Sequence, residues 1–181
     1  MPINIPNTLT ILRILLIPIL VIVFYAPFEN HLLVAAGIFA AAAVTDWFDG
    51  YLARRLGQMT AFGAFLDPVA DKLMVAIALV LLVERHDTLV FTLAACVIIG
   101  REIVVSALRE WMAELGERTS VAVSYVGKVK TTIQMVAITG LLAIDPTRDE
   151  HWLLALCYLV LYTAAVLTLW SMVIYLKAAW R

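Results

Sequence analysis

Residues 45–72, TDWFDGYLARRLGQMTAFGAFLDPVADK, hold four aspartates, Asp46, Asp49, Asp67 and Asp71, with Gly50, Gly63 and Arg54 among them. Asp46 and Asp49 are spaced i, i+3 and Asp67 and Asp71 i, i+4, so each pair projects from one side of its helix. At about 100° per residue, Gly50, Ala53 and Arg54 share the broad face of Asp46 and Asp49, whereas Arg55 points away. Bare carboxylate pairs on facing helices would repel. Hard divalent cations such as Mg²⁺ relieve that repulsion, because they take oxygen ligands from carboxylates and substrate phosphates together. Gly50, Ala53 and Gly63 leave room for a bulky ligand near the backbone, and Arg54 offers a fork suited to phosphate oxygens. The pattern reads as a metal and diphosphate site. Solvated helix-end carboxylates would explain any one of these residues but not four at these spacings.

The elements that carry these residues must be membrane helices. Of the 181 residues, 64% are hydrophobic and 15% charged, and the mean hydropathy is +0.96. Soluble domains run near 45–50% apolar and about 25% charged, and a chain this short cannot hide so much apolar surface in one core. The excess must face lipid. With 13 basic and 14 acidic residues and a net charge of −1, neither a nucleic-acid binder nor an acidic tail is indicated. The length allows one domain over 1–181, with about six spans of roughly 20 residues.

The main apolar runs without a charge are 14–28, 32–45, 73–83, 88–100, 131–144 and 152–176. Only the last reaches the usual minimum of about 18 apolar residues. The others become long enough by continuing through Arg13, through Asp46 and Asp49, through Asp67, Asp71 and Lys72, through Arg101 and Glu102, and through Lys128 and Lys130. In an up-and-down bundle all these extensions fall at one end. The turns at the other end hold only Arg85 and Arg148 of the basic residues, together with His31, His86 and His151. By the positive-inside rule the motif end and both termini are cytoplasmic, and the histidines are poor catalytic candidates. Carboxylates placed within a span make function the default explanation.

The remaining features read more simply. Cys96 and Cys157 lie singly in apolar stretches and make no disulfide framework or metal set. The opening MPINIPNTLTILR lacks a basic residue before Arg13, so a cleaved signal peptide is not expected. Residues 3–10, before the first span and with Asn7 after Pro6 as a helix start, are expected to form a short helix lying in the interface. The alanine-rich segment Val34 to Val44 suits a close-packed face in the bundle or at a dimer contact. Trp152, Trp170 and Trp180 bracket the last span as interface anchors, while Trp47 and Phe48 read as packing residues.

The pattern Asp46-x2-Asp49-Gly50-x2-Ala53-Arg54-x8-Gly63-x3-Asp67-x3-Asp71 resembles the signature of the CDP-alcohol phosphatidyltransferases at every position. The opening Asn4-Ile5-Pro6-Asn7, with Leu9, Thr10 and Arg13, is similar too. So are the stretches Gly100-Arg101-Glu102-Ile103, Ser106-Ala107-Leu108-Arg109-Glu110 and Val126-Gly127-Lys128-Val129-Lys130-Thr131, which look like the bacterial members that use sn-glycerol 3-phosphate. The resemblance implies an all-α, six-helix integral membrane enzyme of the bacterial inner membrane, a homodimer, making phospholipid from CDP-diacylglycerol. It implies that Asp46, Asp49, Asp67 and Asp71 hold one or two Mg²⁺, or Mn²⁺ in substitution. Asp71 would also serve as the catalytic base, and Gly50, Ala53, Arg54 and Gly63 would contact the donor's cytidine diphosphate. The acceptor oxygen would then attack the phosphorus bearing the diacylglycerol, and CMP would leave.

Two general arguments agree with those roles. Paired metals stabilise the attacking and leaving oxygens of an in-line displacement, and crowded carboxylates suit general-base work. The donor's tails would stay in lipid with its head at the charged end. Arg101, Arg109, Arg118, Lys128 and Lys130 lie near the same end, with Arg101 and Arg109 about two turns apart on one face. Together they point to an anionic acceptor held by its phosphate; inositol phosphate stays open beside glycerol 3-phosphate. Ordinary positive-inside anchoring also accounts for Arg118 and Lys130.

Other functions fit less well. An intramembrane prenyltransferase uses different aspartate motifs and more helices. A cation transporter would carry carboxylates at the midplane, with broken helices and internal repeats. A non-catalytic assembly subunit gives no reason for four aspartates facing an arginine.

Overall fold

A computed structural model describes the backbone of residues 5–56, 60–114, 125–147 and 151–179; side chains at 5–6, 47–56, 61, 64, 109, 113, 125–130 and 174–179 lie outside the described set. Within it the chain forms six helices: α1 Ile5–Phe24, α2 His31–Leu56, α3 Ala61–His86, α4 Leu89–Glu114, α5 Tyr125–Ala143 and α6 His151–Ala179. Each helix does continue through its charged segment. At 26 residues apiece, α2, α3 and α4 are about 39 Å long, more than the roughly 30 Å hydrocarbon layer. Their charged turns therefore reach past the apolar stretch that precedes or follows them.

The expected interfacial helix over 3–10 does not form as a separate element in the described part of that segment. Residues 5–10 are the first turns of α1, because Asn7 and Thr10 are buried on the same stripe as Arg13, Ile17, Leu20 and Phe24. Spacings of three and four place these six on one helix face. Its N-terminal half is polar and its C-terminal half apolar.

Helix α1 packs on α2 and α3, α2 on α5, α4 on α6, and α5 on α6. Small residues let the backbones approach: Ala35, Ala36, Ala42, Ala78, Ala95, Ala137 and Ala164 are buried, with Phe39, Leu79, Leu82, Phe91 and Ile138 filling the space between helices. The alanine-rich segment of α2 is thus a packing face inside the bundle. Outside, large apolar side chains such as Ile22, Leu89, Val166, Trp152 and Trp170 are exposed. This inversion marks a surface solvated by lipid. Asn7–Phe24, Leu89–Met112 and His151–Val173 are long and apolar enough by themselves to cross a membrane.

Helical hydroxyls bond within their own helices, Thr45 to the Ala41 carbonyl at 2.7 Å and Thr139 to that of Met135 at 2.8 Å, for example. At the end away from the aspartates the turns are tied together. Arg85 Nη2 lies 3.3 Å from Asp145 Oδ1, the Tyr25 hydroxyl donates to Glu84, and the Tyr158 hydroxyl and His86 Nδ1 are 2.6 Å apart. Hydrogen bonds from Thr147, then the Arg85 guanidinium, hold the Asp145 carboxyl below the usual range. All three histidines lie at this end, as the charge pattern implies.

Candidate active site

Three helices build the aspartate site, and α1 supplies its charge balance. Helix α3 starts at Thr60, whose extended backbone and hydroxyl cap it by accepting from the Gly63 amide at 3.0 Å. The same hydroxyl donates to Asn7 Oδ1 of α1, 3.0 Å away. One turn further along α1, the Thr10 hydroxyl donates to Asp67 Oδ1 at 2.5 Å. Beyond it, Arg13 Nη1 donates to Asp46 Oδ1 of α2 at 2.9 Å and also to Asp71 Oδ1 of α3.

Burial is graded across this cluster. Arg13 is 1% exposed, while Asp46 and Asp71 are 40% and 36% exposed. Phe39, Ala42, Met74 and Met135 surround a small cavity beside Arg13. The guanidinium therefore sits on an apolar floor with the carboxylates above it. Strong hydrogen bonds to a charged donor fix both carboxylates, yet leave them open to solvent and substrate.

Among the expected ligands, Asp46 and Asp71 are brought together from facing helices, and Asp67 is held one turn away by Thr10. Asp49 lies on α2 within the described backbone, but its side chain lies outside the described set, as do those of Ala53 and Arg54. Gly50 is on the same stretch of helix. Among the described residues alone, no group of three metal-ligating side chains forms. The donors present are nonetheless hard carboxylate oxygens converging on one positive charge, the chemistry that suits Mg²⁺ or Mn²⁺. Gly63 is buried where α3 meets α1: a Cβ there would stand 2.6 Å from Asn7 Oδ1 and 3.2 Å from Thr60 Oγ1.

Of the expected acceptor residues, Arg101 is buried between α4 and α6. Its Nη1 bonds Glu102 Oε1 at 2.6 Å, its Nη2 reaches Ser171 Oγ of α6 at 3.4 Å, and its Nε has no partner among the described residues. A simple anchor would extend to the interface; this one is drawn inward. The side chains of Arg109, Lys128 and Lys130 lie outside the described set, and Arg118 lies outside the described residues altogether. Lys72, next to Asp71, donates to Ser106 and so ties α3 to α4.

Thr10, Arg13, Thr60, Lys72, Ser106 and Ser171 take part in this architecture without a site role in the spacing of the motif. The available signal for Arg13 was its place on the apolar stripe of α1, where a lone cation needs a buried counter-charge.

The model of the family described as CDP-alcohol phosphatidyltransferase matches residues 3–170. A relative in Yersinia enterocolitica, the CDP-diacylglycerol--glycerol-3-phosphate 3-phosphatidyltransferase, is 57% identical over 181 residues, covering 100% of this chain and 97% of its own. The protein of the same name in Salmonella typhimurium is 58% identical over 179 residues, 99% of this chain and 96% of its own.

Proposed function

The chain belongs to the CDP-alcohol phosphatidyltransferase family, and from that premise we propose that it transfers the phosphatidyl group of CDP-diacylglycerol to sn-glycerol 3-phosphate, releasing CMP. The relatives that match it from end to end carry that reaction in their names. The observation that carries the reading here is the convergence of Asp46 and Asp71 from two facing helices on one buried cation at the charged end of the bundle.

The residues divide the work by position. Gly50, Ala53, Arg54 and Gly63 contact the cytidine diphosphate, with Arg54 forking onto phosphate oxygens. Asp46, Asp49, Asp67 and Asp71 hold one or two Mg²⁺, which would stabilise charge on the attacking and leaving oxygens. Asp71 takes the proton from the acceptor hydroxyl. That oxygen bonds to the phosphorus bearing the diacylglycerol as the bond from this phosphorus to CMP breaks. Arg101, with Arg109, Arg118, Lys128 and Lys130, binds the acceptor's own phosphate. The apolar exterior leaves the donor's acyl chains in lipid while its head reaches the aspartates.

In the same reading the chain is a homodimer of the bacterial inner membrane with its aspartate end in the cytoplasm, where 11 of the 13 basic residues cluster. The test is CMP release from CDP-diacylglycerol by the purified protein in detergent. Release should require both Mg²⁺ and glycerol 3-phosphate, with serine and inositol phosphate as controls. Faster turnover with either control would overturn the acceptor.

A further inference from the structure

A single nitrogen, Nη1 of Arg13, bonds carboxylates from two different helices, Asp46 on α2 and Asp71 on α3. Helix α1 donates no acidic side chain to this cluster; it brings a cation. Among the described residues, two carboxylates face this guanidinium, a formal sum of −1, which still attracts a divalent cation. A carboxylate has about four acceptor directions, so a bond to Oδ1 of Asp46 does not exhaust that residue as a ligand. At 1% exposure the guanidinium cannot swing into solvent without exposing its apolar floor.

We propose that Arg13 is a positioning residue: a fixed cation that holds Asp46 and Asp71 together against their repulsion and competes with a divalent cation for their oxygens. The inference rests on the metal-binding reading of the aspartates. It assigns α1 a definite part in the chemistry. The helix sets how far apart α2 and α3 present their carboxylates, and its charge tempers how tightly a cation is held.

The consequence is an exchange between two sources of positive charge. Without Arg13, the carboxylates repel and the packing of α2 against α3 weakens, but a bound cation meets one fewer like charge. The carboxylates left behind are part-exposed and lose their shared counter-charge, which a divalent cation can replace.

The experiment uses the full chain in detergent without substrates, reading Mn²⁺ binding by loss of the free-ion paramagnetic resonance signal and thermal unfolding in EDTA or excess Mg²⁺. Arg13→Gln should melt lower than wild type in EDTA and regain most of that loss in Mg²⁺, with Mn²⁺ binding about tenfold tighter. Arg13→Lys should stay close to wild type in both readouts. The double variant Arg13→Gln/Asp46→Asn should melt higher in EDTA than Arg13→Gln alone. If Arg13→Gln fails to fold, Arg13→Lys and the double variant carry the test.

An equal loss of stability with and without Mg²⁺, together with unchanged or weaker Mn²⁺ binding, would overturn the inference and leave Arg13 as a packing element. Wild-type protein that binds no Mn²⁺ would overturn the metal reading itself, and this inference with it.

Discussion

Gly63 of α3 lies so close to Asn7 of α1 that a Cβ at position 63 would stand 2.6 Å from the Asn7 amide oxygen. Asn7 is buried and its oxygen accepts from Thr60, so it has little freedom to yield. The glycine of the motif thus has a packing reason alongside the donor contact proposed for it: it lets α1 approach α3 closely enough for Thr10 to reach Asp67 and Arg13 to reach Asp71.

Replacing Gly63 by Ala should destabilise the protein by about 1–3 kcal/mol, the usual cost of overpacking. Shortening the opposing side chain should relieve the clash. In a double-mutant cycle read by thermal unfolding, Gly63→Ala/Asn7→Ala should lose less than the sum of its single variants. Strict additivity would show that the contact does not set the spacing of α1 and α3.

The same contact shows what sequence spacing can and cannot reach. Asp46, Asp49, Asp67 and Asp71 stand out because a carboxylate beside a long apolar run has few structural explanations, and i, i+3 and i, i+4 spacings are local facts. Helix extents followed for the same reason, since a run of 11 to 15 uncharged residues can span only by continuing through its charges. Arg13 was legible as the charge through which the first apolar run extends and as part of the family-like opening, but not by its partners. Its partners stand 33 and 58 residues away, and no local period encodes that pairing. The expected interfacial helix failed on the same ground. Asn7 and Thr10 look suited to a headgroup layer by composition, but their partners, Thr60 and Asp67, lie on α3 inside the bundle.

Asp49→Asn and Asp71→Asn should each reduce transfer at least about a hundredfold, within the range that removal of a general base or metal ligand costs. Asparagine keeps the shape and loses the charge. Both variants should remain folded by size-exclusion chromatography in detergent, because each removes negative charge from a crowded cluster. Activity within about tenfold of wild type would remove that residue from the mechanism.

Topology is tested by thiol labelling. The turns joining α1 to α2, α3 to α4 and α5 to α6 lie at the end tied by Arg85–Asp145 and Tyr25–Glu84. In a background lacking Cys96 and Cys157, cysteines replacing Glu29, Asp87 or Thr147 should react with an impermeant reagent in intact cells. A cysteine replacing Gln58, between α2 and α3, should be protected until the membrane is opened. The opposite pattern would put the aspartates on the outer face, away from cytoplasmic CDP-diacylglycerol head groups.

Donor and acceptor can be separated through Arg101 and Arg54. Arg101 is buried between α4 and α6, held by Glu102 and Ser171, with its Nε still unpartnered among the described residues; a phosphate oxygen would satisfy that donor. A charge-assisted contact is worth about 1.5–3 kcal/mol, which is roughly a tenfold to 150-fold change at 1.4 kcal/mol per decade. Arg101→Ala should therefore raise KM for glycerol 3-phosphate, or lower kcat/KM, by that factor while leaving the donor KM nearly unchanged. Ser171→Ala should shift the acceptor KM in the same direction by less, since its 3.4 Å contact orients the guanidinium without supplying charge. Arg54→Ala should do the reverse and weaken the CDP-diacylglycerol side. Steady-state kinetics with each substrate varied in turn reads all three variants. An Arg101→Ala enzyme with unaltered acceptor kinetics would return this residue to a purely structural role between α4 and α6, and the acceptor phosphate would have to be held by Arg109, Arg118, Lys128 or Lys130 instead.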